Sequence, residues 1–245
     1  MNNPFEFTEV SYRDLIRLVL DSGYNFIPFT HAWGYDKPHV LWRHDIDMSP
    51  HRAARLSQIE AKEDVMSTYF LYLHSSFYNL FEESVVSRIF DIIGNGHAIG
   101  LHYDLEFYKK HFPLFDPLQM VDAEATFIRD TFSIKPTAIS FHNPSLSTSE
   151  IPNYQTIHGL TNAHSSFIRK NYTYCSDSNG VWNHTPIDVA ISKRKPKLHV
   201  LTHPEWWTDI PMRREEKVER CIIGRCENQR LLYNLIMEEV YGKKH

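Results

Sequence analysis

The feature of this sequence that most restricts its fold is an alternation of short apolar runs with amphipathic helical segments. Runs of strand character occupy six stretches, at residues 39–45, 65–73, 97–102, 137–142, 172–175 and 198–202. Segments with apolar residues at helical spacing separate the first four runs, which gives each crossover room for a helix. Such an alternation predicts an α/β domain with a parallel sheet, either open or closed into a barrel. No repeat or linker divides the chain, so we predict one domain over residues 1–245.

Helices are predicted at both ends of this domain, packed on it. The first covers about residues 8–22 and ends at Gly23. The last covers about residues 213–240 and is cut or kinked at Gly224. Residues 143–179 are rich in Thr, Ser, Asn and Pro, which predicts a section made mostly of loops.

The composition limits the classes of function. The chain carries a formal net charge of −4 and has a pI of about 6.4, so no nucleic-acid partner is expected. It also holds 15 His and 13% aromatic residues. Imidazole is the commonest metal ligand, and aromatic rings are well suited to cover the apolar faces of sugars. Together these excesses favour a polar cleft lined with rings.

The N-terminal sequence and the cysteines bear on the compartment. The segment MNNPFEFTEVSYRDLIRLVL lacks the basic start, the continuous apolar run and the cleavage site of a secretory signal. No stretch is long and apolar enough for a transmembrane segment. Cys175, Cys221 and Cys226 have no ligand-like spacing and are expected to be reduced thiols. We therefore expect a cytoplasmic protein.

Four of the predicted strands end in ionisable residues. Asp45 and Asp47 close the first run, and His102, His142 and His203 close three later ones. Because the carboxyl ends of parallel strands lie at one edge of the sheet, these side chains are expected to converge there. Functional sites of α/β proteins form at this edge, so it is where we place the candidate site.

The pair Asp45 and Asp47 allows two interpretations. Carboxylates two residues apart on an extended segment point to the same side, where they repel unless a cation lies nearby. A divalent ion would supply that charge, with one Asp on the metal and the other taking a proton from water. A capping Asp and a turn carboxylate ahead of Ser49-Pro50 explain the pair equally well.

The histidines differ in their suitability as ligands. His97 and His102 are five residues apart and fall on opposite faces of a strand, so they are not expected to bind one ion. His97, at the strand start, is the more typical structural histidine. His142 and His203 each end an apolar strand and precede a turn restricted by proline. Either one is suited to bind a metal or to act as a general acid.

These residues, in this order and spacing, resemble the polysaccharide deacetylase family, metal-dependent carbohydrate N- and O-deacetylases related to nodulation chitooligosaccharide deacetylase. The resemblance extends from about Val40 to Trp207. More narrowly, the chain looks like a divergent branch found in O-antigen and capsule biosynthesis, through the segments RHDID, YFLYLHSSFYNLF, GHAIGLHYD, SFHNP, DSNGVW and LTHPEWW. The family implies a distorted (β/α) barrel of about seven parallel strands, with a divalent ion at their carboxyl ends.

The resemblance also implies a metal set. The first family motif falls on residues 44–47, so Asp45 resembles the general base and Asp47 the first ligand. The second motif, H-[ST]-x-x-H, places its first His at His102 but has Glu106 where its second His belongs. The family's Arg-bearing motif has His142 in place of the Arg. We therefore expect Asp47, His102 and His142 to bind the metal, with Glu106 as the alternative third ligand.

Further roles follow from the same resemblance. Asp177 and Trp182 match a motif in which an Asp orients the acid histidine and a Trp lines the pocket. His203 matches that acid histidine. Arg43 and His44 are expected to hold the carboxylates in place of the missing Arg. Asp104 and Trp206 are expected beside the site as supporting or substrate-binding groups. Core packing is the alternative for the pair Trp206-Trp207, and for one of these two rings it is the favoured one.

The function implied is a metal-dependent hydrolase that removes an acetyl group from an amino sugar. Zn is the expected ion, with Fe, Co, Ni or Mn as alternatives. The lack of a signal points to a small nucleotide-linked or lipid-linked substrate. Two alternatives stay open: hydrolysis of another amide or ester at the same metal site, and an inactive sugar-binding domain. The sequence leaves the oligomeric state undefined.

Overall fold

The computed structural model describes residues 6–114, 116–148 and 150–242. Within these residues nine strands form one sheet. Their bounds are β1 Asn25–Phe26, β2 His39–Ile46, β3 Thr68–Tyr72, β4 Ala98–Tyr103, β5 Ala138–Phe141, β6 Thr156–Ile157, β7 Leu160–Asn162, β8 Thr173–Ser176 and β9 Lys197–Thr202. The sequence predicted the central strands to within three residues at each end, since their apolar runs are bounded by polar turns.

The sheet is parallel except at one edge. Its order is β6-β7-β5-β4-β3-β2-β9-β8, with β1 beside β2, and only the β6–β7 pairing is antiparallel. This curled sheet forms a half-barrel, which confirms the single α/β domain but not the expected closed barrel of about seven strands. The chain after β5 turns back in a tight hairpin instead of adding a helical crossover. His158 and Gly159 form its turn with φ of 46° and 79°, the positive values that a two-residue hairpin turn favours.

Eight α-helices accompany the described strands. They are α1 Glu9–Asp21, α2 Pro50–Lys62, α3 Glu83–Gly94, α4 Leu105–His111, α5 Val121–Phe132, α6 Ser166–Asn171, α7 Ile187–Ser192 and α8 Arg214–Tyr241. The prediction of a break at Gly224 is wrong, because α8 runs through that residue. The short α4, α6 and α7 were missed. Helices of six or seven residues depend on tertiary packing more than on their own periodicity.

Alternation along the strands separates two cores. On the helix side, Trp42 packs with Tyr12 of α1. Inside the half-barrel, Phe29, Leu41 and Phe70 form the floor. Gly100 on β4 makes room for the Phe70 ring, since a Cβ there would lie 2.6 Å from it. The interior is thus closed at the bottom and open at the carboxyl ends of the strands.

No helix within the described ranges has both the length and the apolar character needed to cross a bilayer.

Candidate metal centre and pocket

Three of the predicted ligands meet at the carboxyl edge of the sheet. Asp47 follows β2, His102 lies on β4, and His142 follows β5. His102 Nε2 lies 3.3 Å from Asp47 Oδ1, and His142 Nδ1 lies 3.5 Å from the same oxygen. The two ring nitrogens are 3.2 Å apart. The structure therefore brings Asp47, His102 and His142 together as one group of ligand-type atoms.

These distances fit a tetrahedral metal. Ligands at 2.0–2.2 Å from zinc lie roughly 3.3–3.6 Å from each other, and the three measured separations are 3.2, 3.3 and 3.5 Å. Asp47 Oδ1 is buried and accepts no hydrogen bond of adequate geometry. A buried carboxylate oxygen without a partner is costly, and a cation would satisfy it. The donor set of two imidazoles and one carboxylate suits Zn and similar divalent ions.

A hydrogen-bonded chain orients His102. Its Nδ1 lies 2.7 Å from Ser140 Oγ, and that hydroxyl donates to Asp45 Oδ1 over 3.3 Å. Since the hydroxyl proton goes to Asp45, Ser140 accepts from His102 Nδ1–H. The lone pair on His102 Nε2 then faces Asp47 and His142. Ser140 thus fixes the tautomer that metal binding requires.

His142 is held by its neighbours in a similar way. Its ring stacks on Tyr72 with centroids 4.3 Å apart. Its Nε2 lies 2.8 Å from the side-chain amide of Asn143. These contacts turn Nδ1, and not Nε2, towards Asp47.

Electrostatics keep Asp47 ionised. Burial by itself raises the pKa of this carboxyl, but the neighbouring rings of His102 and His142 outweigh burial and bring it well below its usual value. His203 adds a positive charge, with Nε2 at 3.9 Å from Asp47 Oδ2. The carboxylate is therefore available as an anionic ligand.

Asp45 lies next to this group and is held separately. Arg43 Nη2 donates to Asp45 Oδ2 over 3.2 Å, and Ser140 contacts the other carboxylate oxygen. Asp45 is only 2% exposed. The Arg43 guanidinium compensates its charge, as the sequence predicted for Arg43.

His203 and Asp177 form a pair on the opposite wall. Asp177 Oδ1 accepts from His203 Nδ1 at 2.7 Å, and Trp207 Nε1 donates to Asp177 Oδ2 over 2.8 Å. Burial lowers the pKa of His203, but Asp177 and Asp47 outweigh burial and raise it to about 10. His203 is therefore an imidazolium at neutral pH. Asp177 lies where the resemblance placed it, as the group that orients His203.

The cavity above these residues has a volume of about 1050 Å³. Trp206 lines it, and its role as a wall for the substrate stays a prediction. Glu205 also lines it, although the sequence analysis gave this residue no role. Burial and the charge of Asp47 raise the pKa of Glu205 to about 8, against the opposing effect of His203.

The expectation for His44 is wrong. His44 points to the helix side of β2, where Nε2 contacts Glu60 Oε1 at 2.7 Å and Nδ1 contacts Thr202 Oγ1 at 2.7 Å. Successive side chains of a strand face opposite sides, so His44 cannot share the face of Arg43 and Asp45. Of Arg43 and His44, only Arg43 contacts the Asp45 carboxylate.

Glu106 is not in the ligand group. Its Oε1 accepts from Ser147 Oγ at 2.7 Å and from the Thr148 backbone N–H at 2.9 Å. The residue lies in the first turn of α4, which carries its side chain to the loop after β5 instead of into the cavity. The alternative third ligand is thereby excluded from the group that Asp47, His102 and His142 form.

Asp104 and Trp182 also lie outside the cavity wall. Asp104 caps α4 by accepting from the Phe107 N–H at 3.0 Å, and its other oxygen accepts from Tyr72 at 2.7 Å. Asp104 therefore holds Tyr72, whose ring stacks on His142, without lining the cavity itself. Trp182 packs against Phe7 and Trp207, with centroids at 6.2 and 6.4 Å. The expectation that Trp182 lines the pocket is therefore wrong, since the ring belongs to the core on the helix side.

Sequence reasoning missed several residues of this site. Ser140 gave no signal of its own, although it lies two residues before His142 on the same strand face. Tyr72 was predicted only as part of a strand. His164 and His199, which line the deeper cavity, lay in stretches interpreted as loop and strand. Counting every second residue back from each predicted ligand would have found Ser140 and, from His203, His199.

Comparisons with known proteins give a limited result. No family model matches the sequence, and no curated protein matches it either. Among solved structures, the polysaccharide deacetylase Bc1974 from Bacillus cereus is similar, with a TM-score of 0.46 and 14% identity over 79% of this chain and 89% of the other. The Streptococcus pyogenes deacetylase PplD in complex with acetate has a TM-score of 0.41 and 14% identity, over 79% of this chain and 82% of the other.

Proposed function

We propose that this protein is a metal-dependent hydrolase that removes an acetyl or similar acyl group from an amino sugar. One observation carries the proposal. Two imidazole nitrogens and a carboxylate oxygen lie 3.2–3.5 Å apart, beside a second carboxylate and an imidazolium. Metal-assisted amide hydrolysis uses these elements: a Lewis acid, a base and an acid.

The division of roles follows from the contacts of each group. Asp47, His102 and His142 would hold a divalent ion, which when bound polarises the amide carbonyl and makes water nucleophilic near neutral pH. Asp45 would accept the proton of the attacking water, held in place by Arg43 and Ser140.

His203 would protonate the leaving nitrogen. Its pKa of about 10 keeps the proton on the ring at neutral pH. Asp177 holds Nδ1, which leaves Nε2 directed towards Asp47 and the cavity. An amine departing without a proton would be a very poor leaving group, so this donation is the step that separates the products.

The substrate is proposed to be a nucleotide-linked or lipid-linked acetamido sugar used in surface-polysaccharide synthesis. The motifs shared with the O-antigen and capsule branch support this choice. The cavity volume of about 1050 Å³ supports it as well, because it lies at the upper end of the range for small-ligand pockets and leaves room for more than one sugar ring.

Acetate release from a panel of substrates tests the proposal. The panel contains nucleotide-linked acetamido sugars, a lipid-linked acetamido sugar, chitin and peptidoglycan, assayed with the zinc-loaded protein. We expect release from the linked sugars, with loss of activity on chelation and recovery on adding Zn²⁺. Release from the polymers alone would refute the substrate class. Full activity of Asp45→Asn and His203→Gln variants would refute the roles of acid and base.

A further inference from the structure

The cavity continues below the candidate metal centre into a second layer of polar side chains. Arg43 lies two residues before Asp45 on β2, and His199 lies four residues before His203 on the strand β9. By strand rise, His199 is about 13 Å deeper than His203. His164 joins the layer from the segment after β7, with Nε2 at 3.4 Å from Arg43 Nη1. We name Arg43, His164 and His199 the basic layer.

Two nitrogen atoms of this layer are buried and unpartnered. Arg43 Nε and His199 Nε2 have no hydrogen-bond partner, and their residues are 1% and 5% exposed. Leaving a buried polar group unsatisfied costs about 1–3 kcal/mol. Both residues line the same cavity, and the charge of Arg43 acts on the His199 ring, so a ligand that enters this part of the cavity meets both nitrogens.

Basic side chains prevail in this part of the cavity. Arg169 and His184 line the wall nearer the mouth and are exposed. Of the four described carboxylates that line the cavity, Asp45 is paired with Arg43, Asp47 and Glu205 lie beside His203, and Glu150 is exposed in the loop after β5. The basic layer thus has donors and no acid of its own other than Asp45.

The chemistry of the layer suits an acceptor-only ligand. A guanidinium has donors and no acceptor, and a neutral imidazole has one donor. Burial, and next the charge of Arg43, hold the pKa of both His164 and His199 well below the usual value. Both rings are therefore neutral when no anion is bound, and a bound anion would favour their protonation.

We propose that the basic layer binds an anionic group of the substrate, a phosphate or a carboxylate, while the acyl group lies at Asp47, His102 and His142. This inference rests on the proposed function and narrows its substrate to an acidic amino sugar or an amino sugar linked to phosphate. The anion would accept from Arg43 Nε and from His199 Nε2, the two buried nitrogens of the basic layer that have no partner.

Binding of inorganic phosphate and of glucuronate, measured by calorimetry, tests the proposal and separates the two anion sources. We expect His199→Leu to weaken the binding of whichever anion binds more tightly by about tenfold, because one hydrogen bond to a charged group is lost. His199→Gln keeps an amide donor and is expected to recover most of the affinity. Metal content stays unchanged in both variants, which separates this site from phosphate bound to the metal.

Arg169→Ala, a change at an exposed residue, provides a second measurement if His199→Leu does not fold. This variant is expected to bind the same anion about threefold more weakly. The difference is expected to be largest at low salt, because salt screens the charge of an exposed residue near the mouth of the cavity. Equal affinities in the wild type and both folded variants would overturn the proposal.

The kinetic comparison distinguishes failure of this inference from failure of the proposed function. N-acetylglucosamine, its 1-phosphate and the matching uronic acid are assayed together. Acetate release from all three with equal KM leaves the hydrolase intact and refutes the basic layer as an anion site. Competitive binding of phosphate and glucuronate without hydrolysis of any amide supports the layer and refutes the hydrolase.

Discussion

Strand β2 carries a histidine–carboxylate cluster on each of its two sides, and the clusters differ in how their polar atoms are satisfied. On the helix side, Glu60 accepts from His44, Tyr12, Ser67 and Tyr69. None of the buried polar side-chain atoms of these residues lacks a partner. On the cavity side, Asp47 Oδ1 faces two imidazole nitrogens without an accepted hydrogen bond.

The comparison separates a structural cluster from a functional one. A buried charge is retained at low cost when donors saturate it, as for Glu60. When a carboxylate oxygen and imidazole nitrogens meet at a cavity without hydrogen bonds, they indicate that a bound ion is their partner. Residue type alone does not make this distinction, since His and an acidic residue occur in both clusters.

The largest expected effect is on catalysis at the unsatisfied cluster. Asp47→Asn removes the anionic ligand, and the loss of a metal ion is worth several kcal/mol of transition-state stabilisation. We expect kcat/KM for acetate release to fall about 10³-fold, with the thermal midpoint little changed. Glu106→Gln is the control, because Glu106 binds Ser147 and Thr148 instead of the ligand group. An equal loss in the control would remove the distinction between the two carboxylates.

The satisfied cluster is expected to act on stability instead. Glu60→Gln removes the negative charge and replaces one of the two acceptor oxygens with an NH2 donor, so two of the four donors lose their acceptor and the free energy of unfolding is expected to fall by about 3 kcal/mol. Urea denaturation measures it. Glu63→Gln, near the same helix end but in the surface pair with Arg17, is expected to cost less than about 1 kcal/mol. Similar losses in the two variants would mean that Glu60 has no special role.

The same cluster predicts a dependence of stability on acid. Burial raises the pKa of Glu60, but the charges of His44 and His97 and the bonds from His44 and Ser67 lower it from 4.5 to about 2. A depressed carboxyl pKa stabilises the fold above pH 4.5, and the contribution is lost as the pH falls towards 2. We expect about 3 kcal/mol to be lost over this window in the wild type and not in Glu60→Gln. An identical acid profile in both proteins would contradict this account of Glu60.

A smaller effect is expected when the hydrogen bond that orients His102 is removed. Ser140→Ala removes the acceptor of His102 Nδ1–H, and the loss of such an outer partner lowers metal affinity about 10–100-fold. Competition with a chelating dye measures the zinc affinity. Ser147→Ala is the control, since its hydroxyl contacts Glu106. Unchanged affinity in Ser140→Ala would show that His102 is oriented by other contacts.

The cluster on the cavity side of β2 could be predicted from the sequence better than the cluster on the helix side. The convergence of Asp47, His102 and His142 at one edge of the sheet was predicted from the strand ends, a rule that needs no side-chain detail. Their choice as the metal set came from the resemblance to polysaccharide deacetylases. His44 was assigned to the wrong side because its proximity in sequence to Asp45 outweighed the alternation of strand side chains. Its partner Glu60 is 16 residues away on α2, and no local pattern links the two.

The remaining errors have similar physical causes. Glu106 matched a motif position, but the chain enters α4 directly after Asp104 and turns the side chain to a loop. The hairpin of β6 and β7 was missed, because His158-Gly159 carries the turn glycine but lacks the Asn or Asp that usually precedes it. Short elements of this kind form because neighbours hold them, so their own periodicity is too weak to predict them.

The most direct test of the central claim is the binding of Zn²⁺ and Co²⁺ to the wild type, His142→Ala and Glu106→Gln, measured as stoichiometry and as the visible spectrum of the cobalt protein. We expect one ion per chain in the wild type and in Glu106→Gln, with the same cobalt spectrum. His142→Ala is expected to lose stoichiometric binding or to change that spectrum. Stoichiometric binding that survives in His142→Ala with an unchanged spectrum and is lost in Glu106→Gln would contradict the metal centre described for Asp47, His102 and His142.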